Sequence, residues 1–159
     1  MASAAGRWPA TAAREPAAPT RNPVATIHHA KTLGINLLDT SASYGGGGSE
    51  EVIGRALQGR RDKYVVATKV KSATDDDVDE ETARRQIVEI CGDSLECLQT
   101  DYIDILQLHR DPPEPTMAVV MDTLADLKRQ GKIRWTGISS NNTIAGEVGT
   151  ISSLGIVQG

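Results

Sequence analysis

Short apolar segments rich in β-forming residues alternate along the chain with segments of helical periodicity. Four strand-like segments stand out, at 35–38, 64–67, 103–108 and 133–138. Between them, apolar residues recur every three or four positions, the spacing that places them on one face of a helix. The pattern predicts one helix followed by four strand–helix repeats, and residues 156–158 begin a fifth strand.

This alternation favours right-handed βαβ units and a parallel sheet. Such sheets are either open and doubly wound or closed into an eight-stranded barrel, and the composition does not choose between them. A closed barrel of this kind typically needs about 250 residues, whereas the chain has 159. We therefore expect an α/β fold and, if it is a barrel, only part of one.

The first 23 residues differ from the rest of the chain. They are dominated by Ala, Pro and Arg and have no periodic apolar face. This composition predicts a disordered N-terminal tail at 1–23 and a folded domain at 24–159. Because the tail lacks the apolar core of a secretory signal, we expect a cytoplasmic protein.

Composition narrows the choice of partners. A net charge of −4 argues against nucleic acid or an anionic membrane as the main partner. No apolar run approaches the roughly 20 residues of a membrane span.

Cys91 and Cys97 lie six residues apart in one predicted helix, on different faces, so we expect free thiols without a disulfide. The sequence shows no metal site.

Polar residues of different chemical kinds stand where the predicted strands end. Asp39, Lys69, His109 and Ser139 follow the four strands in order, and Tyr44 lies five residues beyond the first. Each alone has an ordinary interpretation, such as a helix cap, a surface lysine or a strand-end histidine. Because the carboxyl ends of parallel strands converge on one face, their coincidence favours a site. Asp39 ends an apolar strand and is expected to be a buried, paired carboxylate.

These groups suit the chemistry of a carbonyl. A tyrosine phenol, with an ordinary pKa of about 10, is a poor acid unless an ammonium group nearby stabilises the phenolate. With Lys69 beside it, held by Asp39, Tyr44 would protonate a carbonyl oxygen as hydride reaches the carbon. Neutral His109 would donate a second hydrogen bond to that oxygen. No side chain delivers hydride, so a nicotinamide cofactor is required.

Five segments of the chain resemble the aldo-keto reductase family, in the family's order. They are DTSASYG at 39–45, ATK at 67–69, TDYID at 100–104, LHR at 108–110 and GISSN at 137–141. The resemblance runs from about residue 25 to 158. It implies a TIM-type (β/α)8 barrel that binds NADPH, less often NADH, at its C-terminal face, and a catalytic tetrad. That tetrad falls on Asp39, Tyr44, Lys69 and His109.

The resemblance also implies a set of cofactor-binding residues. The family's Ser-Asn pair, which holds the nicotinamide carboxamide, falls on Ser139 and Ser140, and Asn141 follows directly. Gln158 corresponds to a glutamine under the nicotinamide, and Asp39 borders the cofactor. The family's first strand is not recognisable in residues 1–23, and the chain ends near the sixth strand. The resemblance therefore implies an incomplete member that lacks the first and last barrel strands.

Two main hypotheses about function follow. The first is an NADPH-dependent oxidoreductase that reduces a small aldehyde or ketone to an alcohol, with a tyrosine general acid. The second is a catalytically inactive aldo-keto reductase-like protein that acts only as a binding module or has no activity. A third, an unrelated phosphate-binding barrel or open sheet, leaves the four strand-end residues unexplained. The sequence does not predict the oligomeric state.

Overall fold

A four-stranded parallel sheet organises the part of the chain that the structure, a computed structural model, describes: residues 22–71, 78–110 and 112–139. The strands follow one another across the sheet in chain order. They are Leu37–Asp39 (β1), Val65–Val70 (β2), Ile103–Leu108 (β3) and Ile133–Ile138 (β4). Parallel neighbours in chain order require crossover connections, and helices supply them. The predicted α/β fold with a parallel sheet is therefore confirmed.

Helices connect these strands and precede the first of them. They are Pro23–Thr32 (α1), Gly48–Leu57 (α2), Glu80–Leu98 (α3) and Glu114–Arg129 (α4), with a 3₁₀ turn at Arg61–Lys63. The start of α3 is capped by Asp79, whose carboxylate accepts a hydrogen bond from the backbone N–H of Thr82 at 2.7 Å. This bond stabilises the charged carboxylate and lowers the pKa of Asp79.

The bounds of two strands differ from the prediction. β1 begins at Leu37 rather than at Ile35, because the N–H of Ile35 donates to the carbonyl of Ala30 and closes the end of α1. β2 continues to Val70, three residues beyond the apolar run that predicted it. Polar Thr68 and Lys69 interrupt that run in the sequence, yet both are buried in the folded sheet.

The residue type of Ser49 predicts that it caps α2, and this prediction is wrong. Ser49 has the residue type of an N-cap, but the capping position is Gly47, in the left-handed region with φ 91°, and no side chain caps the helix. The hydroxyl of Ser49 instead accepts a hydrogen bond from the hydroxyl of Thr40 at 2.8 Å. The glycines before α2 turn the chain so tightly that the helix begins before Ser49.

The hydrophobic core lies between the sheet and the helices packed on it. The predicted helix stripes are confirmed, since the core contains Ile53, Leu57, Ile87, Leu98, Val120, Leu124 and Leu127. Strand residues also contribute, including Val66, Val70, Leu106 and Leu108, which alternate along β2 and β3. The intervening residues project from the opposite face of the sheet. That face is more open, and Leu37 and Trp135 are 53% and 45% exposed on it.

A buried carboxylate joins the amino ends of three strands. Asp104 of β3 accepts hydrogen bonds from Arg61 at 2.6 Å, from Arg134 of β4 at 2.9 Å and from the backbone N–H of Val66 of β2 at 3.0 Å. The two guanidinium groups lie 4.0 and 3.9 Å from the centre of the Tyr102 ring. These residues, the Asp104 cluster, combine ion pairs with cation–π contacts. In a barrel fold this end of the strands is associated with stability.

Helices α2 and α3 cross at very close range. A Cβ atom added to Gly54 of α2 would lie 2.5 Å from the backbone oxygen of Cys97 and 2.8 Å from the backbone carbon of Leu98. Real Cβ atoms do not approach backbone atoms that closely. Gly54 is therefore required by packing rather than by its own conformation.

Both cysteines are free thiols, as predicted: Cys91 is buried and Cys97 is partly buried. None of the helices in the described ranges is long and apolar enough to cross a membrane. The predicted tail at 1–23 falls almost wholly outside the described residues. The predicted helix around 144–151 and the fifth strand at 156–158 lie outside them too.

Candidate functional site

The carboxyl ends of the strands carry the polar residues that the sequence singled out. Asp39 is the last residue of β1, Lys69 is the penultimate residue of β2, and His109 and Ser139 directly follow β3 and β4. Ladder hydrogen bonds continue past the strand ends, since the N–H of Ser139 donates to the carbonyl of Leu108 at 2.8 Å. The residues therefore form a row along the carboxyl end of the sheet.

Lys69 has the most fully satisfied side chain in this row. Its ammonium group lies 2.7 and 2.9 Å from the two carboxylate oxygens of Asp39 and donates to the carbonyl of Thr40 at 2.9 Å. Only 6% of the Lys69 side chain is exposed. These three contacts use its N–H donors and hold the charge in one place.

Asp39 is paired as expected, but the expectation that it is buried is wrong. Its side chain is 58% exposed. The strand segment before it is apolar in sequence, yet β1 is at the edge of the described sheet and Leu37, two residues earlier on the same face, is also exposed. Asp39 thus faces the open side of the sheet, and the lysine is the buried member of the pair.

Tyr44 reaches the same place from the loop between β1 and α2. The turn is closed by the N–H of Tyr44, which donates to the carbonyl of Ser41 at 3.0 Å. Gly45 follows with φ 63°, a left-handed conformation that glycine adopts without strain. The centre of the Tyr44 ring lies 5.5 Å from the ammonium nitrogen of Lys69, within the range of a cation–π contact. The tyrosine is 44% exposed.

His109 completes the group. Its ring meets that of Tyr44 edge to face, with centroids 6.0 Å apart and planes at 76°. Its Nδ1 lies 3.3 Å from the hydroxyl oxygen of Ser41. Within the described residues Nε2 makes no hydrogen bond. The structure therefore brings together Asp39, Tyr44, Lys69 and His109, which come from three strand ends and one loop.

Of the expected cofactor residues, Ser139 is described and half-buried at the end of β4. Its hydroxyl can donate and accept, which fits the N–H and C=O groups of a carboxamide. Ser140, Asn141 and Gln158 lie outside the described residues. In the described ranges no group of three or more His, Cys, Asp or Glu side chains could hold a metal ion.

Two buried polar residues near the site were not found from the sequence. Ser41 has no exposed surface and contacts His109. Glu50, 1% exposed in the first turn of α2, accepts a 2.6 Å hydrogen bond from the hydroxyl of Thr68. Ser41 lies within the DTSASYG segment, so its position was a usable signal. The burial of Glu50 depends on how α2 packs against β2, which no local pattern encodes.

A cleft of about 500 Å³ lies beside the site, between the β1–α2 loop and α3. Its lining includes Glu50, Asp93, Glu96, Cys97 and Lys71 rather than the strand-end residues. Burial, and then the carboxylates of Glu50 and other nearby acids, raise the pKa of the Cys97 thiol. Because the thiolate is the reactive form, Cys97 is a poor nucleophile at neutral pH.

A family model, described as aldo/keto reductase family, matches residues 6–152. The chain belongs to the aldo/keto reductase family. The match to the family model starts inside the segment predicted to be a tail, so the boundary between tail and folded domain at residue 23 stays a prediction.

Among curated relatives, L-galactose dehydrogenase of Arabidopsis thaliana is 42% identical over 123 residues, covering 73% of this chain and 37% of that protein. Aldo-keto reductase YhdN of Bacillus subtilis is 38% identical over 122 residues, covering 74% of this chain and 36% of that protein.

Solved structures of aldo-keto reductases share this fold. A holo form from Bacillus halodurans matches with a TM-score of 0.70 and 34% identity, over 84% of this chain and 46% of that one. An NADPH complex from Klebsiella pneumoniae matches with a TM-score of 0.67 and 32% identity, over 77% and 40%. The described sheet and helices are thus part of a TIM-type barrel. The chain spans less than half the length of these relatives.

Proposed function

We propose that the protein is an NADPH-dependent oxidoreductase that reduces an aldehyde or ketone to an alcohol, with Tyr44 as the general acid. The observation that carries this proposal is the buried ammonium of Lys69, held by Asp39 and lying 5.5 Å from the Tyr44 ring. An aldo-keto reductase from Klebsiella pneumoniae was solved in complex with NADPH, which supports the choice of cofactor.

The described residues have separate roles in this proposal. A bound nicotinamide cofactor would supply the hydride for the carbonyl carbon. The hydroxyl of Tyr44 gives its proton to the carbonyl oxygen, and the fixed positive charge of Lys69 stabilises the phenolate left behind. His109, whose Nε2 has no hydrogen-bond partner within the described residues, gives the same oxygen a second hydrogen bond.

Residues at the ends of the later strands would hold the cofactor. Ser139 follows β4 and neighbours the end of β3 through its bond to Leu108, so a carboxamide bound to its hydroxyl would lie next to His109. Ser140, Asn141 and Gln158 are proposed to contribute further contacts, and Asp39, at the end of β1, is proposed to contact the cofactor as well. A small carbonyl compound is the proposed substrate class.

The test compares three proteins: the unaltered chain, Tyr44→Phe and Tyr102→Phe. The third makes the same chemical change at the opposite end of the sheet. NADPH oxidation with a small aldehyde is expected in the unaltered chain and in Tyr102→Phe, and its loss in Tyr44→Phe. Fluorescence titration should show that NADPH binding survives in Tyr44→Phe.

Equal and measurable turnover in Tyr44→Phe and the unaltered chain would contradict the assignment of the general acid. The alternative, a catalytically inactive family member, predicts a different result. It requires that the unaltered chain show no turnover. If the protein has no binding function either, NADPH should cause no saturable fluorescence change.

A further inference from the structure

Ser41 occupies a central position beneath the site that the proposed mechanism does not use. It has no exposed surface. Its hydroxyl oxygen lies 3.3 Å from Nδ1 of His109, 3.0 Å from the hydroxyl oxygen of Ser43 and 3.4 Å from the carbonyl oxygen of Lys69, and the N–H of Ser43 donates to it at 3.3 Å. This one hydroxyl therefore connects the tyrosine loop, β2 and His109.

The bonding capacity of a hydroxyl restricts how these contacts are shared. A serine hydroxyl donates one hydrogen bond and accepts two. The backbone N–H of Ser43 occupies one acceptor position of Ser41. When the hydroxyl of Ser43 donates to that of Ser41, 3.0 Å away, it occupies the second acceptor position of Ser41. The remaining proton of Ser41 then points to Nδ1 of His109 or, over a slightly longer distance, to the carbonyl of Lys69.

The direction of this bond decides which nitrogen of His109 carries the proton. If Ser41 donates to Nδ1, that nitrogen carries the lone pair and the hydrogen of the neutral ring is on Nε2. Nε2 has no partner among the described residues, so its N–H is available to a ligand. If instead the proton of Ser41 goes to the carbonyl of Lys69, Nδ1 can bond Ser41 only by donating, which takes the acceptor position that the hydroxyl of Ser43 otherwise fills. Nε2 then cannot donate from a neutral ring.

We propose that Ser41 is a positioning residue that donates a hydrogen bond to Nδ1 of His109 and so holds the neutral imidazole with its proton on Nε2. The functional meaning of this assignment rests on the proposed reductase function, in which His109 donates to the carbonyl oxygen. The tautomer itself can be measured without cofactor or substrate, so the two proposals can fail separately.

The experiment is nitrogen-15 NMR of the histidine side chains in the full chain at about pH 8, above the ordinary imidazole pKa of about 6.5. His28 serves as an internal reference, because its Nε2 lies 2.8 Å from the carbonyl oxygen of Ala56, which can only accept. We expect His109 to match the Nε2-protonated pattern of His28. In Ser41→Ala, the ratio of the Nε2–H to the Nδ1–H form is expected to fall roughly fivefold, the effect of losing one hydrogen bond.

Two further variants control for indirect effects. Ser49→Ala removes a nearby hydroxyl that bonds Thr40 and does not contact His109, so the tautomer ratio should stay unchanged. Ser41→Thr restores a hydroxyl and should return the ratio towards that of the unaltered chain. Circular dichroism of each variant verifies that it is folded.

An Nδ1-protonated His109 in the unaltered chain, or an unchanged ratio in folded Ser41→Ala, would overturn the proposal. If turnover is measured, Ser41→Ala should lower kcat by at most about fivefold with little change in KM, because fewer molecules then have the Nε2-protonated His109 that donates to the carbonyl oxygen in the transition state. Absence of turnover in every protein, with the tautomer pattern intact, would count against the reductase function alone.

Discussion

The ammonium nitrogen of Lys69 lies 2.7 Å from a carboxylate oxygen of Asp39, yet only 6% of the lysine side chain is exposed against 58% of the aspartate side chain. The two members of this ion pair therefore depend on each other to different degrees. Water can solvate Asp39 without the lysine. Among the described residues, Lys69 without the aspartate would keep one hydrogen bond, to the carbonyl of Thr40, and its contact with the Tyr44 ring.

This asymmetry predicts unequal costs of removing either partner. Asp39→Asn leaves a buried ammonium without its counter-charge and should lower the free energy of unfolding by about 2 kcal/mol. Lys69→Met leaves an exposed carboxylate and places an apolar side chain in a buried position, so its cost should stay below about 1 kcal/mol. Urea denaturation measures both. An equal or reversed order would contradict the burial difference.

A second prediction concerns the Asp104 cluster. Asp104→Asn removes a charge that pairs with Arg61 and Arg134. The lost charge is a buried one, because only 8% of the Asp104 side chain is exposed. Breaking a buried ion pair by removing one partner typically costs about 3–5 kcal/mol, and we expect a value near the lower end because Arg134 is itself largely exposed.

Asp126→Asn is the matched control for Asp104→Asn. Asp126 pairs with Arg84 and Arg129 at the surface, with 35% of its side chain exposed. Exposed pairs contribute about 0–1 kcal/mol, so urea unfolding should barely change. Similar costs for the two variants would show that the Asp104 cluster does not stabilise the sheet.

The crossing of α2 and α3 gives a third prediction. Gly54→Ala places a methyl group against the backbone of Cys97 and Leu98, and the helices must separate, at a cost of about 1–3 kcal/mol. Gly92→Ala, in the middle of α3, meets no atom within 4 Å and should raise stability by about 0.5–1 kcal/mol through helix propensity. Thermal unfolding followed by circular dichroism compares them. Opposite signs are expected, and a stabilised Gly54→Ala would refute the close approach.

The fourth prediction is a dependence of stability on alkaline pH. Burial raises the pKa of the Cys91 thiol from its ordinary value of 9.0 to about 11. Between these values the unfolded chain loses the proton while the native protein keeps it. The unfolded state therefore binds fewer protons, and stability falls as pH rises, by up to about 1.4 kcal/mol per pH unit.

Cys91→Ala isolates this effect, because the other titrating groups are shared by both proteins. The measurement is the slope of unfolding free energy against pH from 9 to 11, not its absolute value, which the smaller side chain also changes. The slope should be shallower in the variant. Parallel curves for the two proteins would mean that Cys91 ionises equally in both states.

Much of the fold could be predicted because its signals are local. β3 and β4 have the predicted bounds, and the apolar stripe of α4 faces the core. In each case the periodicity within a single segment determines which residues are buried. The boundary of β1 was wrong because a hydrogen bond from Ile35 to Ala30 closes α1. That bond depends on backbone geometry at the helix end.

The meeting of Asp39, Tyr44, Lys69 and His109 could be predicted from the sequence, whereas the presence of buried Ser41 and Glu50 could not. The positions of Asp39, Lys69 and His109 at strand ends suffice to place them at the same end of the sheet, since parallel strands align their carboxyl ends. Which partner of the ion pair is buried depends on the neighbours that cover each side chain. The contact between Ser41 and His109 joins residues 68 positions apart, and no local pattern encodes such a meeting.

The Asp104 cluster and the catalytic candidates occupy opposite ends of the same strands. A six-residue strand extends for roughly 20 Å, well beyond the range of about 7–10 Å within which substitutions influence each other energetically. Changes at the two ends should therefore combine additively. An engineer could vary the loops around Tyr44 and His109 to accept new molecules, while improvements made around Asp104 offset whatever stability those loops lose.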